Sequence, residues 1–312
     1  MEFTHLHGHS TFSFLEAIWT PKKIIQKAKE LGFENIALTD LGGMYGAIAF
    51  YDSARENWIN PIIGTELGFV LDINGYNRIE DVWNMCLLAK NGEWYSSLMK
   101  IVSHANQEWI SGKAKFDIKT LEENNQWLIA FMWGEESWIG KMIFRSEADE
   151  KIIEIINMIQ DKIWKENVFL EIIAQDELKN QNLKKINSKI IELAEKLGIK
   201  CIVNNIYQYI NESDKEAWEM ALAIKDGNKM YDDHRRKPKE KYHLMSGQEV
   251  FAIMIDNWYS EEQTKNWINN NNEIAKTIKI EIPMGQTLFP NYSTPPHIQE
   301  LYEKVKEWLI SE

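Results

Sequence analysis

Short apolar runs rich in β-branched residues alternate with longer stretches of helical periodicity along residues 1–210. The short runs have the length of strands, and the longer stretches repeat apolar residues every three or four positions. We predict seven strands, over residues 3–7, 35–39, 61–67, 85–89, 127–131, 168–173 and 200–204. A strand followed by a helix, repeated, predicts a parallel sheet, and seven such strands indicate a closed or nearly closed α/β barrel.

The strand pattern fades after the seventh run, and amphipathic helical patterns replace it. We therefore divide residues 1–280 into a barrel over about 1–210 and a helical extension over about 211–280. Prolines at 290, 295 and 296 indicate a linker, and a last amphipathic stretch follows them. Residues 281–312 are thus predicted to be a linker and the start of a further part of a larger protein.

Composition limits the binding partners and the cellular compartment that we expect for this chain. The formal net charge of -12 argues against binding nucleic acid through the overall field of the chain. Cys86 and Cys201 are the only cysteines, which excludes a disulfide framework and a cysteine-ligated zinc and suits a reducing compartment. No apolar run is long enough for a membrane span and no secretory signal opens the chain, so we expect a cytoplasmic protein that does not contact a membrane.

Three histidines alternate near the start of the chain, in FTHLHGHSTFSFLEA. The stretches ALTDLGGMYGAIAFYDSA, PIIGTEL, LLAKNGEWYSSLMKIVSHA, VFLEI and SDKEAWEMALAIKDG follow in that order. Together, from residue 3 to about 280, they resemble the PHP (polymerase and histidinol phosphatase) domain of bacterial DNA polymerase III alpha subunits. The resemblance implies the PHP fold, a distorted seven-stranded β/α barrel with up to three metal ions at the strand ends, which hydrolyse phosphoesters in some members and are lost in others.

The same resemblance implies which residues would hold metal. Four positions keep a ligand, namely His7, His9, Glu16 and Glu66. His5 matches a polar neighbour of the site, and Asp40 precedes a ligand position without being expected to bind metal itself.

Five other ligand positions are changed, and they hold Leu41, Asn84, Gln175, Ile206 and Gln208. Leucine and isoleucine offer no lone pair to a metal ion. One missing carboxylate at about 4 Å from a divalent ion forfeits on the order of 8 kcal/mol of attraction at an effective dielectric constant near 20. We therefore expect an eroded metal centre and assign no catalytic residue.

Two interpretations of the four retained residues stay open. They form either a buried histidine–carboxylate hydrogen-bond network or a site for one weakly bound ion, Zn²⁺ or Mn²⁺. For Asn84, Gln175 and Gln208 we expect hydrogen bonds to one another.

By resemblance, the chain is the amino-terminal PHP module of a replicative polymerase alpha subunit. The carboxylates that bind Mg²⁺ and the incoming nucleotide would lie beyond residue 312. Its implied partners are the remainder of the polymerase chain, a proofreading exonuclease subunit and, through the full-length protein, DNA. The alternatives are a free-standing metal-dependent phosphoesterase and a 3′-5′ exonuclease that works with one metal.

A basic segment in the helical extension is a further candidate for binding. It carries Arg235, Arg236, Lys237, Lys239 and Lys241. These side chains either touch DNA backbone or the rest of the polymerase, or they belong to a solvated loop.

Tryptophan is unusually abundant, with 13 residues, and several occupy positions typical of glycine. Trp58 closes a predicted helix where Gly32 and Gly198 close two others, a place that usually needs a positive φ. By the resemblance or by turn context, glycine is also expected at 19, 94, 109, 127, 138 and 258. One hypothesis is that many of these residues are glycine in the organism, encoded by UGA, and the alternative is a core rich in tryptophan.

Overall fold

The computed structural model describes residues 1–75, 82–107, 114–125, 128–134, 137–283, 285 and 295–311. The strands are β1 (Asn35–Leu38), β2 (Asn60–Val70), β3 (Trp83–Ala89), β4 (Lys115–Asp117), β5 (Leu128–Trp133), β6 (Val168–Ile173) and β7 (Cys201–Asn204). The helices are α1 (Pro21–Glu30), α2 (Ala47–Glu56), α3 (Gly92–Gln107), α4 (Ile118–Glu123), α5 (Trp138–Phe144), α6 (Asp149–Ile163), α7 (Gln181–Leu197), α8 (Lys215–Lys225), α9 (Gly247–Asp256), α10 (Glu261–Thr277) and α11 (Pro296–Ser311).

The chain divides into two compact units, Met1–Glu281 and Ile282–Glu312. Every strand given above lies in the first unit, and α11 lies in the second. Most of the predicted linker, residues 286–294, falls outside the described residues. No helix in the described ranges is both long and apolar enough to cross a membrane.

The seven strands form one sheet in the order β1-β2-β3-β5-β6-β7, with β4 paired to β2 off this path. The pairs of β2 with β3 and of β3 with β5 are antiparallel, and the other pairs are parallel. The expectation of an all-parallel sheet is therefore wrong. Residues 71–82, between β2 and β3, are barely enough for the crossover that parallel neighbours need, and a short link favours antiparallel pairing.

The segment of residues 3–9 runs between the two ends of this sheet. It forms only an isolated bridge, so the predicted strand at 3–7 is wrong. The amide of Ala37 in β1 donates to the His5 carbonyl at 2.8 Å, and the amide of His9 donates to the Tyr207 carbonyl, beyond β7, at 2.9 Å. The segment thus joins the sheet edges through scattered bonds, and the curled sheet confirms the predicted distorted α/β barrel.

Three consecutive asparagines of α10 hold the edge strand and this segment in place. The side chain of Asn271 accepts the Val203 amide at 3.0 Å and donates to the Val203 carbonyl at 2.7 Å, so it pairs with β7 as a neighbouring strand would. It also donates to the Thr4 carbonyl at 3.0 Å. Asn270 donates to the Cys201 carbonyl and Asn272 to the Glu2 carbonyl. Side-chain amides therefore replace the backbone partners that a regular barrel strand would supply.

Six helices end in the same way. In α1, α2, α5, α7, α8 and α9, an amide just past the helix bonds the carbonyl five residues earlier. The residue before that amide has a positive φ in each case, as the helix-ending turn requires. These residues are Gly32, Trp58, Ser146, Gly198, Gly227 and Trp258.

Candidate metal centre

Three side chains of ligand type meet inside the curled sheet. The Nε2 atom of His7 lies 2.9 Å from Oε2 of Glu66 in β2, and Nε2 of His9 lies 3.1 Å from the same oxygen. All three residues are buried. In the described part of the chain, they are the one group of three or more His, Cys, Asp or Glu residues whose ligand atoms lie within 4.8 Å of one another.

Glu171 of β6 completes the cluster from the opposite side of His7. Its two carboxylate oxygens lie 3.2 and 3.1 Å from Nδ1 of His7, so carboxylates hold both nitrogens of that imidazole. Asn204, at the end of β7, donates to Oε1 of Glu171 at 2.7 Å. The sequence analysis missed Glu171, although a single carboxylate inside the apolar run VFLEII was a signal, since charged residues are rarely fully buried without a partner.

The two carboxylates control the charge of His7. Burial alone would lower the pKa of the imidazole, but the charge of Glu171 and hydrogen bonds to Glu171 and Glu66 raise this pKa to about 9. For Glu66, burial opposes ionisation, yet the hydrogen bonds from His7 and His9 hold its pKa well below the usual range. In this geometry His7 is an imidazolium at neutral pH, and it donates one N–H to each carboxylate.

Asn84 and Cys86 of β3 line the same face of the sheet as Glu66. The amide of Asn84 donates to Oε1 of Glu66, which takes up the second oxygen of that carboxylate. Burial, followed by the charges of Glu66 and Glu171, raises the pKa of the Cys86 thiol well above its ordinary value. Since the thiolate is the form that binds metal or attacks an electrophile, Cys86 is inert at neutral pH.

Glu16 is not part of this cluster, contrary to the expectation that it lies with the other retained ligands. Its carboxylate is 2.6 Å from Nζ of Lys225 and 3.4 Å from Nη1 of Arg236. The backbone carbonyl of Glu16 accepts from Nε1 of Trp218 at 2.7 Å. The acid therefore ties the loop before α1 to the helical extension, and two cations neutralise it there.

Two of the changed positions are apolar in the structure as in the sequence. The backbone of Leu41 forms a bridge with Glu66, and its side chain supplies no donor. Ile206 is fully buried against Ile173 and Leu183 and has a φ of 53°, which is rare for a β-branched residue. Neither position can serve a metal ion.

The three amide positions do not bond one another, so that expectation is wrong. Asn84 is bound to Glu66, as described above. Gln175 exchanges hydrogen bonds with the backbone of Lys241 and accepts from Asn257 through its own carbonyl. The Oε1 atom of Gln208 is buried without a hydrogen-bond partner among the described residues. Asn84 and Gln175 thus have separate partners, and Oε1 of Gln208 has none among the described residues.

Asp40 and His5 have partners of their own outside the cluster. The carboxylate of Asp40 accepts from the amide of Ser10 at 2.6 Å and from the hydroxyls of Ser10 and Ser13 at 2.8 and 2.7 Å. The His5 ring bonds the Met245 carbonyl through Nε2 at 2.8 Å. Both side chains hold the loop and segment that carry the histidines.

Most basic side chains of this segment form ion pairs with carboxylates of the same chain. Arg235 meets Glu219 at 2.8 Å, Arg236 meets Asp226 at 2.6 Å, and Lys237 meets Asp233 at 3.8 Å. Lys241 is paired with Glu212. Of the five predicted contact residues, Lys239 alone has no ion pair to the described residues. Little of this positive charge is left to attract a nucleic acid.

The residues present fit one metal ion and not a cluster. Nε2 of His7, Nε2 of His9 and an oxygen of Glu66 are a ligand set found around zinc with one open position. Glu171 would hold Nδ1 of His7 from outside that set, as carboxylates commonly do for ligating histidines. A second or third ion finds no further group of ligands among the described residues.

A family model for the PHP domain matches residues 5–175. DNA polymerase III subunit alpha of Borreliella burgdorferi is 28% identical over 306 residues, covering 96% of this chain and 26% of that protein. The protein of the same name from Thermus aquaticus is 27% identical over 310 residues, covering 95% of this chain and 24% of that protein. The chain spans about a quarter of the length of these curated relatives.

Among solved structures, a two-domain protein from Bacteroides vulgatus is similar with a TM-score of 0.42 and 13% identity. The match covers 80% of this chain and 62% of that chain, which is described as containing a predicted PHP-like metal-dependent phosphoesterase.

Proposed function

The chain belongs to the PHP domain family, and from this premise we propose that it is the amino-terminal PHP module of a DNA polymerase III alpha subunit with an eroded metal centre. Relatives with that name match over more than nine tenths of the chain, which supports the assignment. Polymerisation would then be the work of parts of the protein outside these 312 residues. Such a subunit would act in the cytoplasm.

One observation supports an eroded metal centre. Positively charged side chains pair with the carboxylates for which the family resemblance implies metal ions. The imidazole of His7 lies between Glu66 and Glu171, and Lys225 and Arg236 neutralise Glu16. These contacts satisfy the carboxylates without an ion. A cluster of two or three ions would need the ligands that Leu41 and Ile206 cannot supply.

The proposed role is structural. The module would support the polymerase core and help to hold a proofreading exonuclease subunit, and DNA would be reached through the full-length protein. The expected result is that the exonuclease co-elutes with the full-length alpha subunit and no longer does so when residues 1–281 are deleted. Equal co-elution of both forms would place the docking surface elsewhere.

A second candidate function is hydrolysis of phosphoesters with one metal ion. The convergence of two histidine nitrogens on one Glu66 oxygen favours it. A bound Zn²⁺ or Mn²⁺ would supply an acidic water at the open position. His7, His9 and Glu66 would hold the ion, and Glu171 would orient His7 through Nδ1.

Metal content and activity, measured together after loading with Zn²⁺ or Mn²⁺, separate the two functions. The first predicts less than about a tenth of an equivalent of metal after desalting and no hydrolysis of single-stranded DNA or p-nitrophenyl phosphate. One bound ion and turnover that disappear in His9→Ala would establish the second function. Glu16→Gln is the matched control, since its carboxylate faces Lys225 and Arg236 and should not affect either measurement.

A further inference from the structure

Two exposed tryptophans hold a backbone conformation that glycine favours. Trp58 has a φ of 60° and Trp258 a φ of 70°, and their side chains are 94% and 86% exposed. A left-handed backbone brings the Cβ atom of an L-residue close to the following carbonyl, and glycine alone avoids this cost fully. Because the rings are in solvent, no packing offsets the strain.

Glycine occupies the equivalent position at three other helix ends. Beyond α1, α7 and α8, Gly32, Gly198 and Gly227 have φ values of 74°, 64° and 69°. A Cβ atom built on any of the three would meet nothing within 4 Å. These glycines therefore supply the backbone conformation and not space, and α2 and α9 need the same conformation from Trp58 and Trp258.

Trp164, after α6, is strained further. Its φ of 69° and ψ of 128° lie outside the left-handed helical region, which ends near a ψ of about 60°. Side chains with a Cβ atom rarely enter that part of backbone space, whereas glycine enters it as readily as its mirror image. The ring is 44% exposed, so burial offers partial compensation at most.

In a second group of tryptophans, the rings pack or donate hydrogen bonds, and the backbone φ is not positive. Trp218 is 2% exposed, donates to the Glu16 carbonyl and lies 5.3 Å from the ring of Tyr209. Trp267 is 5% exposed and lies 5.2 Å from the ring of Tyr259. Nε1 of Trp19 donates to Asp214 at 2.9 Å. The backbone thus separates the tryptophans named here, all within the described residues, into two groups.

We propose that positions 58, 164 and 258 carry glycine in the native host, through UGA codons that the host reads as glycine. Positions 19, 218 and 267 carry true tryptophans. This corrects the expectation for Trp19, whose ring is engaged. The backbone of Trp94 and of the enclosed Trp138 does not require glycine, and Trp109 and Trp127 lie outside the described residues.

The codons are the first test. UGA at 58, 164 and 258, with UGG at 19, 218 and 267, is the expected pattern. UGG at the first three positions overturns the proposal. UGA spread equally over both groups also overturns it, because the backbone would then not mark the recoded sites.

Paired glycine and alanine variants test the physical basis. Both Trp58→Gly and Trp58→Ala remove the ring, but only glycine relieves the backbone, so the glycine variant should have an unfolding equilibrium constant about three- to tenfold smaller. The same difference is expected at 164 and 258. At Trp19, where φ is not positive, alanine should be the more stable of the pair. A glycine variant no more stable than its alanine partner at all three positions would overturn the strain argument.

Discussion

The imidazole of His5 is neutral in the folded protein because aromatic rings surround it. The rings of Phe3, Phe33 and Tyr207 have centroids 4.7, 5.4 and 5.7 Å away. Burial lowers the pKa of His5 to about 4, against the hydrogen bond to Met245. The interior therefore accepts the neutral ring and resists the charged one.

This burial predicts a loss of stability in acid. The unfolded chain binds a proton at His5 near pH 6.5 and the folded chain only near pH 4, so the contribution is complete above pH 6.5 and is lost as pH falls towards 4. About 3 kcal/mol of unfolding free energy should disappear over this range. Urea denaturation at several pH values measures it. His5→Gln keeps a donor for Met245 without titrating, and an equal acid loss in this variant would contradict the assignment.

The carboxylates around His7 predict a large effect of removing one charge. Glu171→Gln should cost about 3 kcal/mol of unfolding free energy in the presence of a chelator, since it leaves a buried imidazolium with one negative charge fewer beside it. Glu16→Gln, at a partly exposed site with two cations, should cost about 1 kcal/mol or less. Similar losses in the two variants would mean that Glu171 does not carry the buried charge balance.

The sequence predicted some of the side chains that meet in the structure and missed others. The resemblance to the PHP family assigned His7, His9 and Glu66 to ligand positions, and the structure brings these three side chains together. Glu16 was misplaced because its partners, Lys225 and Arg236, are more than 200 residues away in the chain. Nothing local shows that such cations fold back onto an acid.

Side chains of α10 bond the backbone of β7 where a neighbouring strand would otherwise pair. Asn271→Leu should lower the unfolding free energy by at least about 3 kcal/mol, since it leaves the Val203 amide and carbonyl and the Thr4 carbonyl buried without partners. Asn269→Ala, on the exposed face of the same helix, should change it by no more than about 0.5 kcal/mol. Chemical denaturation compares the two, and equal losses would show that α10 stabilises β7 by packing alone.

Most elements could be predicted because their signals are local. The run 168–173 matches β6, and the runs at 35, 61, 85 and 200 match strands to within a few residues. The run at 3–7 has the same apolar character, but long-range bonds from β1 and α10 decide its conformation. Strand β4 has three residues, too few to show a period, and strand direction depends on links that the pattern does not describe.

In the whole molecule, Met1–Glu281 is one compact unit that contains the site. We expect a chain ending at Glu281 to unfold with a midpoint within about 2 °C of that of the full 312 residues. Differential scanning calorimetry tests this. A larger drop in the midpoint would show that Ile282–Glu312 stabilises the first unit.

The backbone and side-chain groups of residues 4–6 bond partners that are synthesised much later. Thr4 and Leu6 wait for Asn271 and Asn204, and His5 waits for Met245. At about 5–20 residues per second, ribosomal synthesis reaches these partners roughly 10 to 50 seconds after the segment has been made. Closure of the barrel is therefore a late event of high sequence separation, which should make it slow and sensitive to the pace of translation.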